Sequence, residues 1–176
     1  MKTHQYRTNL RWTGNLGKGT IDYRAYSRNH EIDGERKITV ISGSSDPHFR
    51  GDATRYNPEE LLVASLSACH MLSYLHLCAV NQIVVTSYED AASGTMEESP
   101  DGSGRLTAVV LRPVVTITPE SNPEKAQTLH ADAHRLCFIA NSVNFPVTHE
   151  TVVRHDTVDD RGDFDGSEIC VAHDVD

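Results

Sequence analysis

The sequence is poor in thiols and has no closely spaced pair of them. Cys69, Cys78, Cys137 and Cys170 form no CxxC, which excludes a zinc ribbon or a thioredoxin-type motif as a local feature. Any cysteine chemistry must be assembled by the fold. Cations are also short: sixteen Lys and Arg face 25 Asp and Glu, a formal net charge of −9. A surface of that sign repels polyphosphate and anionic lipid, so neither nucleic acid nor a membrane surface is expected as a partner. Behind Met1-Lys2-Thr3-His4-Gln5-Tyr6-Arg7 there is none of the apolar stretch that forms a secretory signal, so a cytoplasmic location is expected, where structural disulfides are rare. The longest apolar run, Leu61 to Val80, is broken by Ser65, Ser67, His70, Ser73, Tyr74 and His76, and reads as too polar to span a membrane. No repeat of solenoid period is visible. What remains is an ordinary globular composition, 38% hydrophobic and 23% charged over 176 residues, enough for one domain with its own core.

The first fifty residues read as strands and turns, with strands expected at 6–13, 20–26 and 37–41. Residues 42–56 are rich in turn formers, hold Arg50 and Arg55, and suit a functional loop. Asn57-Pro58-Glu59-Glu60 then supplies a cap, a first-turn proline and acid at a helix start. The helix it opens should run to about Val80. That helix is apolar on nearly every side, the mark of a central or subunit-interface helix. Strands are expected at 83–91 and 106–118, joined by the polar stretch 93–104 as a long hairpin. Ser121-Asn122-Pro123-Glu124 repeats the helix grammar, and Ala126, Leu129, Ala133, Leu136 and Ala140 keep a helical period, with Cys137 near the end. One closing strand is expected at 147–153. Residues 156–176 hold seven Asp and one Glu against one Arg, so most of the net charge sits in what reads as a flexible acidic tail behind a single domain, 1–155.

Cys69 and Cys137 on separate apolar helices are the minimum equipment for reversible thiol oxidation, a nucleophile and a second thiol able to reach it. Burial as small hydrophobes accounts for the same spacing. A reactive thiol also needs a cation nearby, and Arg50 and Arg55 lie in the loop that leads into the Cys69 helix, with Glu59 between loop and cysteine. An arginine held by a carboxylate would keep the sulfur ionised and bind a peroxide oxygen.

Asn57-Pro58-Glu59-Glu60-Leu61-Leu62-Val63-Ala64-Ser65-Leu66-Ser67-Ala68-Cys69-His70 resembles the signature of the osmotically inducible protein C and organic hydroperoxide resistance proteins, the OsmC/Ohr family. Arg135-Leu136-Cys137-Phe138-Ile139-Ala140-Asn141-Ser142 and the opening Trp12-Thr13-Gly14 to Gly19-Thr20 extend the likeness over roughly residues 8–153. In many relatives the second cysteine is followed by proline, where this chain has Phe138. The resemblance implies an α+β fold, an OsmC-like pair of central helices between curved antiparallel sheets, in an intertwined homodimer. It implies a thiol-dependent peroxidase acting on organic hydroperoxides, and less well on hydrogen peroxide, in oxidative stress defence. Cys69 is then the peroxidatic thiolate, Cys137 the resolving thiol, and Glu59 the carboxylate that orients an arginine. Arg50 is the first candidate for that arginine, followed by Arg55, Arg24 and Arg28. Phe49, Tyr56, Leu72 and Phe138 are candidates for an apolar substrate pocket, or plain core. No cofactor is implied, and an external dithiol of lipoyl or thioredoxin type would reset the pair. The competing class is a ligand-binding or thiol-sensing protein of the same fold.

His130-Ala131-Asp132-Ala133-His134 puts two imidazoles one helical turn apart, a weak zinc pattern that reads better as a solvated face, so no metal is expected. His70 should point about 100° away from Cys69 and reads as a buried histidine with its hydrogen bonds made. Cys78 falls on the opposite face of the helix from Cys69 and reads as core; Cys170 falls in the tail.

Overall fold

A computed structural model describes residues 2–158 and the strand pieces 164–165 and 170–171. The chain forms two compact units, Met1–Leu61 and Leu62–Asp176. The first carries a three-stranded antiparallel sheet in the order β1 (Asn9–Trp12), β2 (His30–Asp33), β3 (Ile41–Gly43). The strand expected at 20–26 is turn structure instead. Arg28 is the reason: its guanidinium donates to the carbonyls of Tyr23 and Tyr26, both at 2.7 Å, and lies over their rings at 4.2 and 4.3 Å. Carbonyls that a ladder would need are thus committed to one side chain. Asp46 caps a single 3-10 turn, Pro47–Phe49, and Arg50 follows it in the left-handed region at φ 65°.

The helix start at residue 57 is a reciprocal capping box. The Glu60 amide donates to Asn57 Oδ1 at 2.7 Å, and the Asn57 amide donates to Glu60 Oε2 at 2.9 Å. From it α1 runs over Pro58–Val80 and continues into the second unit. By length and composition alone α1 is apolar enough to cross a membrane, contrary to the expectation above. It buries Leu66, His70, Tyr74 and Cys78, a stripe at four-residue spacing, within the protein.

In the second unit, β4 (Val85–Asp90), β5 (Ser93–Glu98), β6 (Gly104–Leu111) and β7 (Pro113–Ile117) precede α2 (Pro123–Leu136), and β8 (Val147–His149) and β9 (Val152–His155) follow it. The expected long second arm, 106–118, is divided at Arg112, and its halves serve different sheets: β5-β6-β8 and β9-β7-β4. Asp90 accepts the Arg112 amide at 2.6 Å, and the Arg112 guanidinium reaches Glu150 and Ser93, both at 2.8 Å, which fixes the crossing point. The expected closing strand, 147–153, is divided in the same way at Glu150. The class is α+β as expected, but the sheets are mixed, because β8 pairs parallel to β6 and β9 parallel to β7. One core gathers Tyr74, Cys78, Val115, Ile117, Leu129 and Val153; a second gathers Leu66, Val109 and Leu111. Of the stretch expected as a tail, β10 (Thr157–Val158) pairs with β11 (Phe164–Asp165), and β12 (Cys170–Val171) pairs antiparallel with β9. The rest of that stretch, with the expectation of flexibility, lies outside the described residues.

Candidate active site

The Cys69 thiol is half-buried, and the Cys137 thiol is near enough to interact with it electrostatically. Two local features bring the second sulfur there. Asn122 caps α2 by accepting the Lys125 amide, and the helix ends at Leu136, so Cys137 is the capping residue in extended conformation at φ −69° and ψ 107° and not a helical one. The residue is 1% exposed, and its sulfur accepts the Ala140 amide at 3.4 Å. Burial, and then the neighbouring Cys69 thiol, push the Cys137 thiol up to about 11, against the opposing pull of the backbone donors at Ala140 and Ile139.

Cys69 opens on a cavity of about 640 Å³ lined by Ser65, Ala68, Leu72, Ser73 and His76 of α1, and by Leu136 and Phe138 where α2 ends. Access is therefore unequal: a molecule in the cavity meets Cys69, with Cys137 behind it. Leu72 and Phe138 are lining residues; Phe49 and Tyr56 are exposed side chains of the first unit and are not among them. His76, Ser65 and Ser73 were missed by the sequence reading. Spacing of three, four and seven residues from Cys69 to Leu72, Ser73 and His76 is the signal that holds them on one helix face.

Glu59 and Arg50 both belong to the first unit, Glu59 in the first turn of α1 and Arg50 exposed after the 3-10 turn. No ion pair joins the two side chains. Arg55 pairs with Asp52 at 3.6 Å, Arg24 is exposed, and Arg28 is held by the two tyrosines.

His70 is fully buried as expected, and its partner is another imidazole: Nε2 lies 3.1 Å from Nδ1 of His130. Its hydrogen bonding is incomplete, because Nδ1 has no partner. His130 is 1% exposed and stacks on Tyr74 at 3.9 Å, so the face it occupies is core and not the solvated face expected. Cys78 is buried, as expected for the side of α1 away from Cys69. Among the described residues, no three His, Cys, Asp or Glu side chains converge on a metal position. The side chain of Cys170 lies outside the described residues.

The sequence model of the family described as OsmC-like protein matches residues 51–152. The chain belongs to the OsmC-like family. The match takes in Glu59, Cys69 and Cys137 and begins just after Arg50, so it is shorter than the 8–153 of the resemblance. An OsmC-like protein of unknown function from Vibrio cholerae is 33% identical, with a TM-score of 0.77 over 85% of this chain and 99% of that one. An organic hydroperoxide resistance protein OsmC from Legionella pneumophila is 20% identical, with a TM-score of 0.60 over 86% of this chain and 98% of that one. The organic hydroperoxide resistance protein OhrB of Bacillus subtilis is 19% identical, with a TM-score of 0.56 over 84% and 98%. No curated protein matches the chain. The OsmC-like fold thus includes hydroperoxide resistance proteins as structural neighbours.

Proposed function

We propose that the protein is a cysteine-based, thiol-dependent peroxidase that reduces organic hydroperoxides, and hydrogen peroxide less well, in oxidative stress defence. One observation carries the reading: a cavity-facing thiol, Cys69, neighbours a buried thiol, Cys137, that the cavity does not expose. An accessible nucleophile with a shielded resolver separates the two half-reactions in space. The names of the Legionella and Bacillus neighbours agree with it.

In the first step the Cys69 thiolate attacks the outer peroxide oxygen. An S–O bond forms, the O–O bond breaks with its electron pair on the leaving alkoxide, and a proton completes the alcohol. In the second, the Cys137 sulfur gives up its proton and attacks the sulfenic sulfur; an S–S bond forms and hydroxide leaves as water. The peroxide has gained two electrons and the cysteine pair has lost them. A dithiol of lipoyl or thioredoxin type returns them by exchange. A thiol raised to about 11 is a poor nucleophile at neutral pH, which keeps Cys137 idle until a sulfenic acid forms beside it. Arg50 as the activating cation and Glu59 as its carboxylate rest on the family resemblance alone. The homodimer is the proposed state because α1 leaves Leu72 and Val80 exposed, at 64% and 62%, on an otherwise apolar helix.

Reduced protein and Cys69→Ser are each given cumene hydroperoxide. The parent consumes peroxide and forms a disulfide between Cys69 and Cys137, and the variant does neither. Equal inertness of both proteins sinks the enzyme reading in favour of a ligand-binding or sensing role.

A further inference from the structure

We propose that His70 and His130 are positioning residues for the resolving step: their hydrogen bond sets the register of α1 against α2 at which Cys137 reaches a Cys69 sulfenic acid. The proposal rests on the two-thiol reading above and concerns its second half-reaction. The observations lie where the two helices meet. His70 Nε2 is 3.1 Å from His130 Nδ1, and one turn further along α1 the Tyr74 hydroxyl donates to the Ala126 carbonyl at 3.1 Å. Position 70 meets 130 and position 74 meets 126, so the helices run antiparallel at this contact. From it α1 leads back directly to Cys69, and α2 leads forward to Cys137, toward the same end.

Apolar packing alone would hold this contact loosely. Of the side chains that α2 buries, Ala126 and Ala133 stand one turn before and one turn after His130, and a methyl group offers a facing helix little to lock against. Apolar surfaces accept several offsets at similar free energy, whereas a hydrogen bond between two rings accepts one. The stack of His130 on Tyr74, with centroids 3.9 Å apart and rings 11° from parallel, selects the same offset. The selection matters to the thiols. A slip of one residue moves α1 by about 1.5 Å along its axis, and a disulfide closes only when its Cα atoms are about 4.4–6.8 Å apart. The pair is also costly: His70 and His130 are 0% and 1% exposed, burial holds both neutral, and His70 Nδ1 and His130 Nε2 have no hydrogen-bond partner among the described residues. Two apolar side chains would fill the space without that cost and without the directionality, and directionality is what the register requires.

In the resolving step Cys137 loses its proton, the S–S bond forms, and hydroxide leaves Cys69 as water; the imidazole pair acts on the geometry of that closure. The test measures closure with and without peroxide, on variants that urea midpoints show to be folded. In the first arm the parent, His70→Leu, His130→Phe and His70→Gln are equilibrated in glutathione redox buffers, and the Cys69 to Cys137 disulfide is quantified by peptide mass mapping, which yields the effective concentration of one thiol at the other. It should fall at least about ten-fold in His70→Leu and in His130→Phe, and His70→Gln, whose amide N–H can replace Nε2, should restore part of it. In the second arm one equivalent of cumene hydroperoxide is added. Peroxide should disappear at the parent's rate in every variant, while dimedone traps more Cys69 sulfenic acid in His70→Leu and His130→Phe than in the parent. A parent-like effective concentration in either of those variants, no recovery in His70→Gln, or no such disulfide in the parent overturns the positioning role. If the parent still consumes peroxide, the peroxidase reading survives that result. Peroxide consumption slowed as much as closure assigns the pair a general structural role and also overturns the proposal. The expected order in glutathione, with no peroxide consumed by any of the proteins, overturns the peroxidase reading and leaves the positioning role standing.

Discussion

His70 and His130 meet end to end inside the second unit: their rings are 4° from parallel, with centroids 5.4 Å apart and Nε2 to Nδ1 at 3.1 Å. One nitrogen donates and the other accepts, so the bond is lost once both rings are cationic, and the burial of the pair disfavours even the first proton. Burial, followed by the charges of His149 and His134, lowers His70 to about 4; burial, followed by His70 and His149, lowers His130 to about 2.

Acid should therefore loosen the protein well above the usual carboxylate range. In the unfolded chain both imidazoles take protons below their ordinary value of about 6.5, and in the folded chain they do not. The stability contributed is complete above that value and is lost as pH falls toward 4, roughly 2 kcal/mol for each ring by pH 5. Urea midpoints between pH 7.5 and 4.5 measure it. His130→Phe should flatten the slope, and an unaltered slope would assign the acid sensitivity to other groups.

Thiol labelling should be ordered. Cys69 is half-buried at the cavity, whereas Cys78 and Cys137 are buried and burial raises both thiols. Iodoacetamide at pH 8 on the reduced, native protein should modify Cys69 well before the other two, by peptide mass mapping. Cys137 labelled as fast as Cys69 would remove the shielding on which the resolving role depends.

Removing Cys137 should strand the first intermediate. In Cys137→Ser, cumene hydroperoxide should leave a Cys69 sulfenic acid that dimedone traps, and dithiol-supported turnover should fall at least about ten-fold. Undiminished turnover would show that the external thiol attacks Cys69 directly.

The capping box at the start of α1 should matter to the whole chain, because the helix belongs to both units. Asn57→Ala removes the acceptor of the Glu60 amide and should lower stability by about 1 kcal/mol. Leu66→Ala, in a side chain with 0% exposure between Val109 and Leu111, should cost about 3 kcal/mol. Denaturant midpoints rank the two, and a larger loss at Asn57 than at Leu66 would contradict the burial argument.

Much of the fold was legible because the signals are local. Both helix starts follow from Asn-Pro-Glu, where a cap, a fixed φ and acid act within one turn. Both helices open where that grammar places them. The strands were less legible. Residues 20–26 have strand composition, but Arg28 takes their carbonyls; residues 106–118 look like one arm, but the contacts of Arg112 with Asp90, Ser93 and Glu150 divide it. Those partners are distant in sequence or made by a side chain whose direction no spacing reveals. Of the site, Cys69, Cys137, Leu72 and Phe138 were named in advance. His76 was not, although its place seven residues after Cys69 was open to view.

The amino-acid sequence by itself determined which residues can do chemistry here and where α1 and α2 begin, since reactivity belongs to side chains and caps belong to single turns. Only the tertiary structure decided that Cys137, at its cap position, comes near Cys69, that Cys78 stays in the core, and that His130 meets His70 instead of water. A pairing of that kind is set by how helix ends and sheet faces pack together, and packing is a property of the folded chain as a whole.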